Sequence, residues 1–208
     1  MNNDIIIVGA GGHANSVIDS IEEIKLFNIV GYIDNYENSN ISYPYLGNDM
    51  DAYKYIENGI NNVVICIGTT KSNEIRKNII EFYESLKFNF PKIISKSALV
   101  SNKSIIEDGV FIGKNVVINS GAKIHKHSII NTGVIIEHDC TIGKYCHIAP
   151  GSVISGCVNI GVNTHVGTNS TIIQNINIGE NTTIGAGSVV VKDIDCNKLG
   201  YGVPFKEV

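Results

Sequence analysis

The sequence predicts a chain of two parts: an α/β half-Rossmann domain over residues 1–90, then an all-β, left-handed parallel β-helix over residues 91–208. Two observations predict this arrangement. Short apolar runs alternate with segments of helical periodicity in the first part. A strict six-residue repeat runs through the second part. The fold changes near residue 90, where one pattern replaces the other.

Three apolar runs in the first part predict short buried strands: Ile5–Val8, Ile29–Ile33 and Asn62–Ile67. Between the first two, a glycine-rich turn precedes apolar residues at helical spacing, and a second helix is expected from Ser72 to about Leu86. This strand–helix–strand order predicts a parallel sheet with right-handed crossovers. At this length the domain is at most half of a doubly wound dinucleotide-binding domain.

The repeat begins at Ile94 and advances by six residues without interruption to Val190, and each of the seventeen positions is Ile or Val. The residue four places after each aliphatic is small or β-branched, and the residue directly after it is often Gly. We expect a triangular coil of three six-residue sides, with one branched aliphatic per side filling the interior. Gly or Asn is expected to accept the dihedral angles of the corners.

Coils of 18 residues stack at about 4.8 Å, so that a residue lies over the one 18 positions later. The repeat is long enough for between five and six coils. A coil of this kind buries its core only against its neighbours, and each coil therefore depends on the next.

Composition excludes several functional classes. The net charge of −4 gives no support for binding nucleic acid or an anionic membrane. No apolar run is long enough to span a bilayer, and the first residues carry no basic segment of a signal peptide, so we expect a cytoplasmic protein. The five cysteines form no C-x-x-C pair and fit no zinc module, which favours free thiols.

Several motifs together resemble the PglD/NeuD-type acyltransferases, which are bacterial N-acetyltransferases of nucleotide-linked amino sugars and their sialic acid O-acetyltransferase relatives. The resemblance covers nearly the full length. The repeat by itself identifies only the wider hexapeptide superfamily, whereas the histidine segment combined with the glycine-rich domain is more specific. The motifs are Ile7–His13, Gly31–Asp34, Ile67-Gly68 with Arg76, Asn131–Gly133, Ile136–Cys140, His147–Gly151 and Gly202–Pro204.

His138 is the candidate general base. It lies two residues after Ile136 at a predicted turn, so its side chain can leave the coil surface, and imidazole changes protonation state near neutral pH. The resemblance implies that this histidine deprotonates the acceptor and that an adjacent acid, Asp139, orients it. Because neighbours in a regular strand point to opposite faces, Glu137 remains the other candidate.

Gly156 lies 18 residues after His138 and is predicted to stack on it. A glycine there lets a thioester approach and leaves an N–H for its carbonyl oxygen, a role that the resemblance also implies; a simple corner glycine is the alternative.

The cosubstrate implied by the resemblance is acetyl-CoA, held between neighbouring subunits of a homotrimer. His147 matches a position near the acetyl group, and Gly185 and Gly187 would let the pantetheine lie flat on the coil. Lys206 is expected to meet a CoA phosphate. The commoner tail of the family has a small residue where this chain has Phe205.

The acceptor implied by the resemblance is a nucleotide-linked amino sugar. The glycine-rich turn follows a strand and opens a helix, so its N–H groups can cradle a diphosphate. Asp34 lies about twenty residues further on, which imitates a dinucleotide fingerprint, but no second half-sheet is present to hold NAD. A vestigial structural turn remains an alternative. The candidate substrate-binding residues are Gly9, Gly11, Gly12, His13, Asp34, Gly68 and Asn131.

Three other functions remain open. The same base would serve O-acetylation of sialic acid or another sugar. His147 and His165, 18 apart, are expected to stack, as metal ligands can, but the H-x-x-x-x-H spacing of γ-class carbonic anhydrases is missing and no metal is expected. A non-catalytic β-helix would show a regular surface array, which this chain lacks. The preferred hypothesis is N-acetylation of an amino sugar for a surface glycan or glycoprotein.

Overall fold

The computed structural model describes residues 3–68 and 74–208, which divide into two compact units, Met1–Ile93 and Ile94–Val208. The predicted beginning of the second helix at Ser72 lies outside the described residues. No helix in the described ranges is long and apolar enough to cross a membrane.

The first unit is a three-stranded parallel sheet of order β2-β1-β3 with helices, as predicted. Its elements are β1 (Asp4–Val8), α1 (Gly12–Ile24), β2 (Asn28–Ile33), a 3-10 turn (Asp49–Asp51), α2 (Ala52–Glu57), β3 (Asn62–Ile65) and α3 (Glu74–Ser85). The short helix α2 was not predicted. Strand β3 ends two residues before the predicted end at Ile67.

The central strand β1 is apolar throughout because it is covered on both faces, and Ile5, Ile6 and Ile7 are completely buried. Helix α1 presents Val17 and Ile21 to this core. Since all three strands run in the same direction, their carboxyl ends meet at one edge of the sheet, where the glycine-rich turn also begins.

The second unit is the predicted parallel β-helix, whose two-residue strands form three sheets. The histidine sheet contains β4 (Ile93–Ile94), β7 (Phe111–Ile112), β10 (Ile129–Ile130), β13 (His147–Ile148), β16 (His165–Val166), β19 (Thr183–Ile184), β21 (Leu199–Tyr201) and β22 (Lys206–Glu207). The aliphatic sheet contains β5 (Leu99–Val100), β8 (Val117–Ile118), β11 (Ile135–Ile136), β14 (Val153–Ile154), β17 (Thr171–Ile172) and β20 (Val189–Val190). The polar sheet contains β6 (Ile105–Ile106), β9 (Lys123–Ile124), β12 (Thr141–Ile142), β15 (Asn159–Ile160) and β18 (Asn177–Ile178).

The interior confirms the sequence pattern. The repeating aliphatic is the second residue of each strand and is buried from Ile112 to Val190. The small residue four places later is also buried, and its polar atom bonds to the neighbouring coil: the hydroxyls of Ser128 and Ser152 donate to the carbonyls of Gly143 and Gly167 at 2.8 and 2.9 Å. A hydroxyl at this position therefore stabilises stacking rather than leaving a buried polar group unsatisfied.

The corners have the dihedral angles expected of them, and most are occupied by Gly or Asn. Residues with positive φ lie three places after the aliphatic, as Asp139 does after Ile136, and not directly after it. The glycines directly after an aliphatic are needed for a different reason: a Cβ on Gly143 would come within 2.7 Å of the backbone N of Val162 in the next coil. These glycines permit close stacking of the coils. The chain turns instead at the residues with positive φ, which lie above one another in corner columns.

The C-terminal tail closes the β-helix. Strand β22 pairs antiparallel with β21, and between them the side chain of Phe205 turns into the interior, where it is 9% exposed. The large side chain at this position therefore covers the last coil.

Candidate active site

The turn after strand β11 carries a histidine–carboxylate pair. Nδ1 of His138 lies 2.9 Å from Oδ2 of Asp139. Asp139 has a φ of 60°, which turns the chain so that these two neighbouring side chains meet on one side. The carboxylate of Glu137 instead accepts a hydrogen bond from Nδ2 of Asn119 at 3.0 Å. Of the two acids that the sequence left open, Asp139 is the one whose carboxylate contacts the ring of His138.

The pair has the geometry of an oriented base. A carboxylate can only accept a hydrogen bond, so Nδ1 of His138 is the donor in this contact, and in the neutral form of the ring the lone pair is on Nε2. The side chains of His138 and Asp139 are 59% and 64% exposed. The His138 ring is therefore accessible to a molecule that approaches the coil from outside.

Gly156 stacks beneath this base as predicted. A Cβ on Gly156 would lie 2.6 Å from Nε2 of His138, closer than side chains tolerate. The backbone holds the two coils together here, because the N–H of Cys157 donates to the carbonyl of His138 at 3.0 Å. Within the described part of the chain, the N–H of Gly156 has no protein acceptor. A free backbone donor in the coil next to His138 could serve a developing oxyanion.

A second polar group lies on the histidine sheet. His147 pairs in register with His165, which confirms the predicted stacking, and their ring centroids are 5.0 Å apart. Nε2 of His147 lies 3.3 Å from Nδ2 of Asn131 on the preceding coil. Burial lowers the pKa of His165. The histidine sheet thus brings Asn131 and His147 together. His165, for which the sequence predicted stacking but no role, lies beside His147, and its lowered pKa keeps the ring neutral at neutral pH.

The glycines near the end of the β-helix differ from one another. A Cβ on Gly185 would lie 2.7 Å from the Cβ of Tyr201, so this glycine makes room for the chain's own tail. Gly187 has open space around it and is exposed. Lys206 is exposed on β22, opposite Tyr201. Gly187 and Lys206 are thus available to a ligand, whereas Gly185 has a structural role of its own.

The glycine-rich turn of the first unit is fastened to the end of β2. Oδ2 of Asp34 accepts a hydrogen bond from the N–H of Ala10 at 2.6 Å, and the N–H of Gly9 donates to the carbonyl of Ile33 at 2.8 Å. Nothing lies within 4 Å of a Cβ placed on Gly11 or Gly12, so the surface of the turn is open. Asp34 therefore stabilises the conformation of this turn, whether or not it also contacts a ligand.

His13 and Arg76 lie at the same edge of the sheet. His13 is in the first turn of α1, and its Cβ is 3.6 Å from the position that a Cβ on Gly68 would take. Burial, with a smaller contribution from the Arg76 guanidinium, lowers the pKa of His13 to about 4. Arg76 is 3% exposed. At neutral pH the positive charge at this edge therefore belongs to Arg76 and not to His13.

The structure brings His138, Asp139 and Gly156 together at one corner of the β-helix and Asn131 and His147 together on the histidine sheet, whereas Gly185, Gly187 and Lys206 lie near its C-terminal end. Sequence reasoning missed two neighbours. Asn38 donates from Nδ2 to the carbonyl of Ala10 at 2.7 Å and so supports the glycine-rich turn; nothing in its sequence context indicated this. Cys157 lies beside the histidine–carboxylate pair, and its position 18 residues after Asp139 was a signal that the repeat already offered.

Comparisons with known proteins identify both units. The family model of the PglD N-terminal domain matches residues 4–83. Models of the bacterial transferase hexapeptide match residues 103–138 and 121–156, and the hexapeptide repeat of succinyl-transferase matches residues 157–192. No curated protein matches the chain.

Solved structures match over the full length. PerB from Caulobacter crescentus, in complex with CoA and GDP-perosamine, is 31% identical with a TM-score of 0.93, covering 99% of this chain and 97% of that one. The acetyltransferase domain of PglB from Neisseria gonorrhoeae, in complex with acetyl coenzyme A, is 27% identical with a TM-score of 0.92 and full coverage of both chains. WeeI from Acinetobacter baumannii, at 22% identity and a TM-score of 0.86 over 98% and 99% of the chains, shares the fold.

Proposed function

Because the chain belongs to the PglD/NeuD-type sugar acetyltransferases, which use acetyl-CoA, we propose that it acetylates the amino group of a nucleotide-linked amino sugar with His138 as the general base. The observation that carries this proposal is the His138–Asp139 contact of 2.9 Å above Gly156. The pair provides an oriented lone pair, and the glycine provides space and a donor at the same point.

The proposed reaction is direct transfer. The amine nitrogen of the acceptor attacks the thioester carbonyl carbon of acetyl-CoA while Nε2 of His138 takes a proton from that nitrogen. The carbonyl oxygen gains negative charge, which the N–H of Gly156 stabilises. The C–S bond then breaks, and the proton on His138 passes to the departing sulfur of CoA. The products are an acetamido sugar and CoA, with no acyl-enzyme and no metal in the sequence of steps.

The first unit is proposed to hold the acceptor by its nucleotide. Gly11 and Gly12 lie where α1 begins, and the space beside them is open, so a diphosphate is favoured here by the N-terminus of α1. Arg76 supplies the positive charge of this edge. Gly9, Asp34 and Gly68 shape the surroundings. The complex of PerB with GDP-perosamine supports a nucleotide-linked amino sugar as the class of acceptor.

Four residues of the β-helix are proposed to contact the cosubstrate or the sugar. His147 lies near the acetyl group, and Asn131, 3.3 Å from its ring, orients either that ring or the acceptor. Exposed Gly187 accommodates pantetheine, and Lys206 meets a CoA phosphate. Gly185 contributes indirectly, by letting Tyr201 of the tail pack against the coil.

A homotrimer is proposed because one side of the prism is apolar on its outside. The outward residues of the aliphatic sheet are Leu99, Val117, Ile135, Val153, Thr171 and Val189. Five of these six are aliphatic and all are partly or fully exposed. An apolar face of this kind marks an interaction surface, and it ends at the turn that carries His138.

The decisive experiment measures acetyl transfer by the full chain on a panel of UDP-, GDP- and dTDP-linked amino sugars and on free and CMP-linked sialic acid. We expect turnover on one nucleotide-linked amino sugar and a loss of about 10²- to 10⁴-fold in His138→Ala. Turnover on sialic acid alone would move the chain to O-acetylation with the same base. Equal rates for the wild type and His138→Ala would exclude His138 as the base.

A further inference from the structure

A thiol lies beside the proposed base. Cys157 is at the corner of the coil that follows His138 and Asp139, with a φ of 60°. One ring nitrogen of His138, one carboxylate oxygen of Asp139 and the sulfur of Cys157 all lie within 4.8 Å of one another. The proposed reaction uses the first two groups and leaves the thiol without a role.

These three atoms are a zinc-binding set. Zn²⁺ takes imidazole nitrogen, carboxylate oxygen and thiolate sulfur, and sites with three protein ligands keep a fourth position for a small molecule. A thiolate also discriminates between metals, because soft sulfur favours Zn²⁺ over Mg²⁺ and Ca²⁺. The residues described by the structure contain no second group of three metal-ligating side chains.

The fold holds the three ligands at a fixed spacing. His138 and Asp139 are neighbours on one corner, and Cys157 is 18 residues after Asp139 in the same corner column. The hydrogen bond of 3.0 Å from the N–H of Cys157 to the carbonyl of His138 ties the two corners together. The three ligands thus project from two corners whose backbones are hydrogen-bonded to each other.

The other thiols differ from Cys157. Cys140 and Cys146 are buried and donate to the carbonyls of Ser155 and Gly161 at 3.0 Å. Cys66 is also buried, in the first unit. Cys196 is exposed but belongs to no such group within the described residues. Cys157 is the thiol that combines access to solvent with two further ligands.

We propose that His138, Asp139 and Cys157 form an inhibitory Zn²⁺ site. The thiol releases its proton to solvent on binding, and the ion takes a lone pair of the His138 ring. If the ion binds Nε2, it occupies the lone pair that would accept the proton of the substrate. If it binds Nδ1, it breaks the contact of His138 with Asp139. The inhibition rests on the proposed function of His138, whereas the binding of the ion does not.

Metal binding is tested first, without any substrate. Co²⁺ takes the same ligands as Zn²⁺, and its bond to a thiolate gives an intense near-ultraviolet absorption band. We expect one equivalent of Co²⁺ to give this band in the chelator-treated full-length protein and Zn²⁺ to abolish it. Mg²⁺ in excess should leave the band unchanged. A protein that shows no thiolate band would overturn the proposal, whatever its acetyltransferase activity.

Two variants identify the sulfur. Cys157→Asn suits the backbone, because Asn175 occupies the same column one coil later with a φ of 63°. Cys157→Ser removes only the soft ligand, and Cys196→Ser is the matched control. We expect the first two to bind Zn²⁺ at least about tenfold more weakly, since even second-shell changes cost that much. Wild-type affinity in both variants would contradict the assignment.

Inhibition is tested on the active enzyme by chromatographic separation of acetyl-CoA from CoA, so that no thiol reagent reaches Cys157. We expect Zn²⁺ to stop turnover in the wild type and in Cys196→Ser, and a chelator to restore it. The Cys157 variants should keep their rate at the same concentration of Zn²⁺. Full activity of the wild type with the site filled, as judged by loss of the Co²⁺ band, would disprove the inhibitory role.

Discussion

At the scale of single residues, the φ angle of Asp139 determines that its carboxylate contacts His138, the candidate base. Asp139 has a φ of 60°, which a carboxylate side chain tolerates better than a bulky or branched one. This conformation lets it reach the ring of the residue directly before it. In a regular strand the same two side chains would point to opposite faces. The corner of the coil therefore creates the pair.

The contribution of Asp139 is predicted from that contact. Asp139→Asn keeps a residue that tolerates positive φ, as Asn169 and Asn181 do elsewhere, but removes the charge that orients His138. We expect kcat to fall by up to about 10⁴-fold, the loss caused by the same replacement beside the histidine of a Ser-His-Asp triad, with little change in melting temperature. Glu137→Gln is the control, because an amide oxygen can still accept from Asn119. Equal effects of both substitutions would contradict the pairing.

His13 is predicted to make the first unit sensitive to acid. Its pKa is lowered to about 4 in the folded protein, against about 6.5 in an unfolded chain. Between these values the unfolded state binds more protons, so the stability present above pH 6.5 is lost as pH falls towards 4. The full effect is on the order of 2 kcal/mol, since the ring is partly exposed.

This loss is measured as the change in unfolding free energy of the first unit between pH 7 and pH 4.5. His13→Gln removes the titrating group, so its pH dependence should be flatter than that of the wild type. The difference between the two profiles isolates His13 from the other acidic groups. Parallel profiles would show that the ring is not held neutral.

At the scale of the elements, the coil is stabilised by a column of branched aliphatics. Ile148 is fully buried between Ile130 and Val166. Ile148→Ala is expected to lower the unfolding free energy by about 2–5 kcal/mol through lost contacts and a cavity, and Ile148→Val by about 0.5–1.5 kcal/mol. Denaturant unfolding of both variants tests this order. A smaller loss for Ala than for Val would mean that the coils do not share one packed core.

Some corner residues of the β-helix with positive φ are neither Gly nor Asn. Most corner positions are Gly or Asn, which accept positive φ at little cost. His127, Asp139, Tyr145 and Cys157 also have positive φ. Two of these four belong to the proposed zinc group, and the rings of the other two stack at 5.6 Å. The corner residues with positive φ that are neither Gly nor Asn thus form two pairs.

At the scale of the whole molecule, the apolar outside of the aliphatic sheet predicts assembly. We expect a mass about three times the 22.5 kDa of one chain in sedimentation. Val153→Lys places a charge in the middle of this face and should shift the protein to the single-chain mass. Asn159→Lys, on the outside of the polar sheet, is the control and should sediment as the wild type does. A trimer that survives Val153→Lys would locate the contact on another face.

The sequence alone determined the architecture and the family. A branched aliphatic at every sixth position leaves one way to bury them all, which is a coil of three sides whose neighbours stack, so the β-helix and its interior follow from the spacing. The parallel sheet of the first unit follows from the order of its apolar runs in the same way. The vertical neighbours, His138 over Gly156 and His147 over His165, also follow, because a residue stacks on the one 18 positions later.

The tertiary structure decided what depends on individual dihedral angles and on packing between parts distant in sequence. The spacing could not choose between Glu137 and Asp139, because the choice depends on one corner angle and on a hydrogen bond to Asn119. Nor could it show that Phe205 fills the last coil or that Tyr201 covers Gly185, since the tail lies outside the repeat. A periodic pattern specifies which residues lie inside, whereas contacts on the outer surface are specified only by the folded backbone.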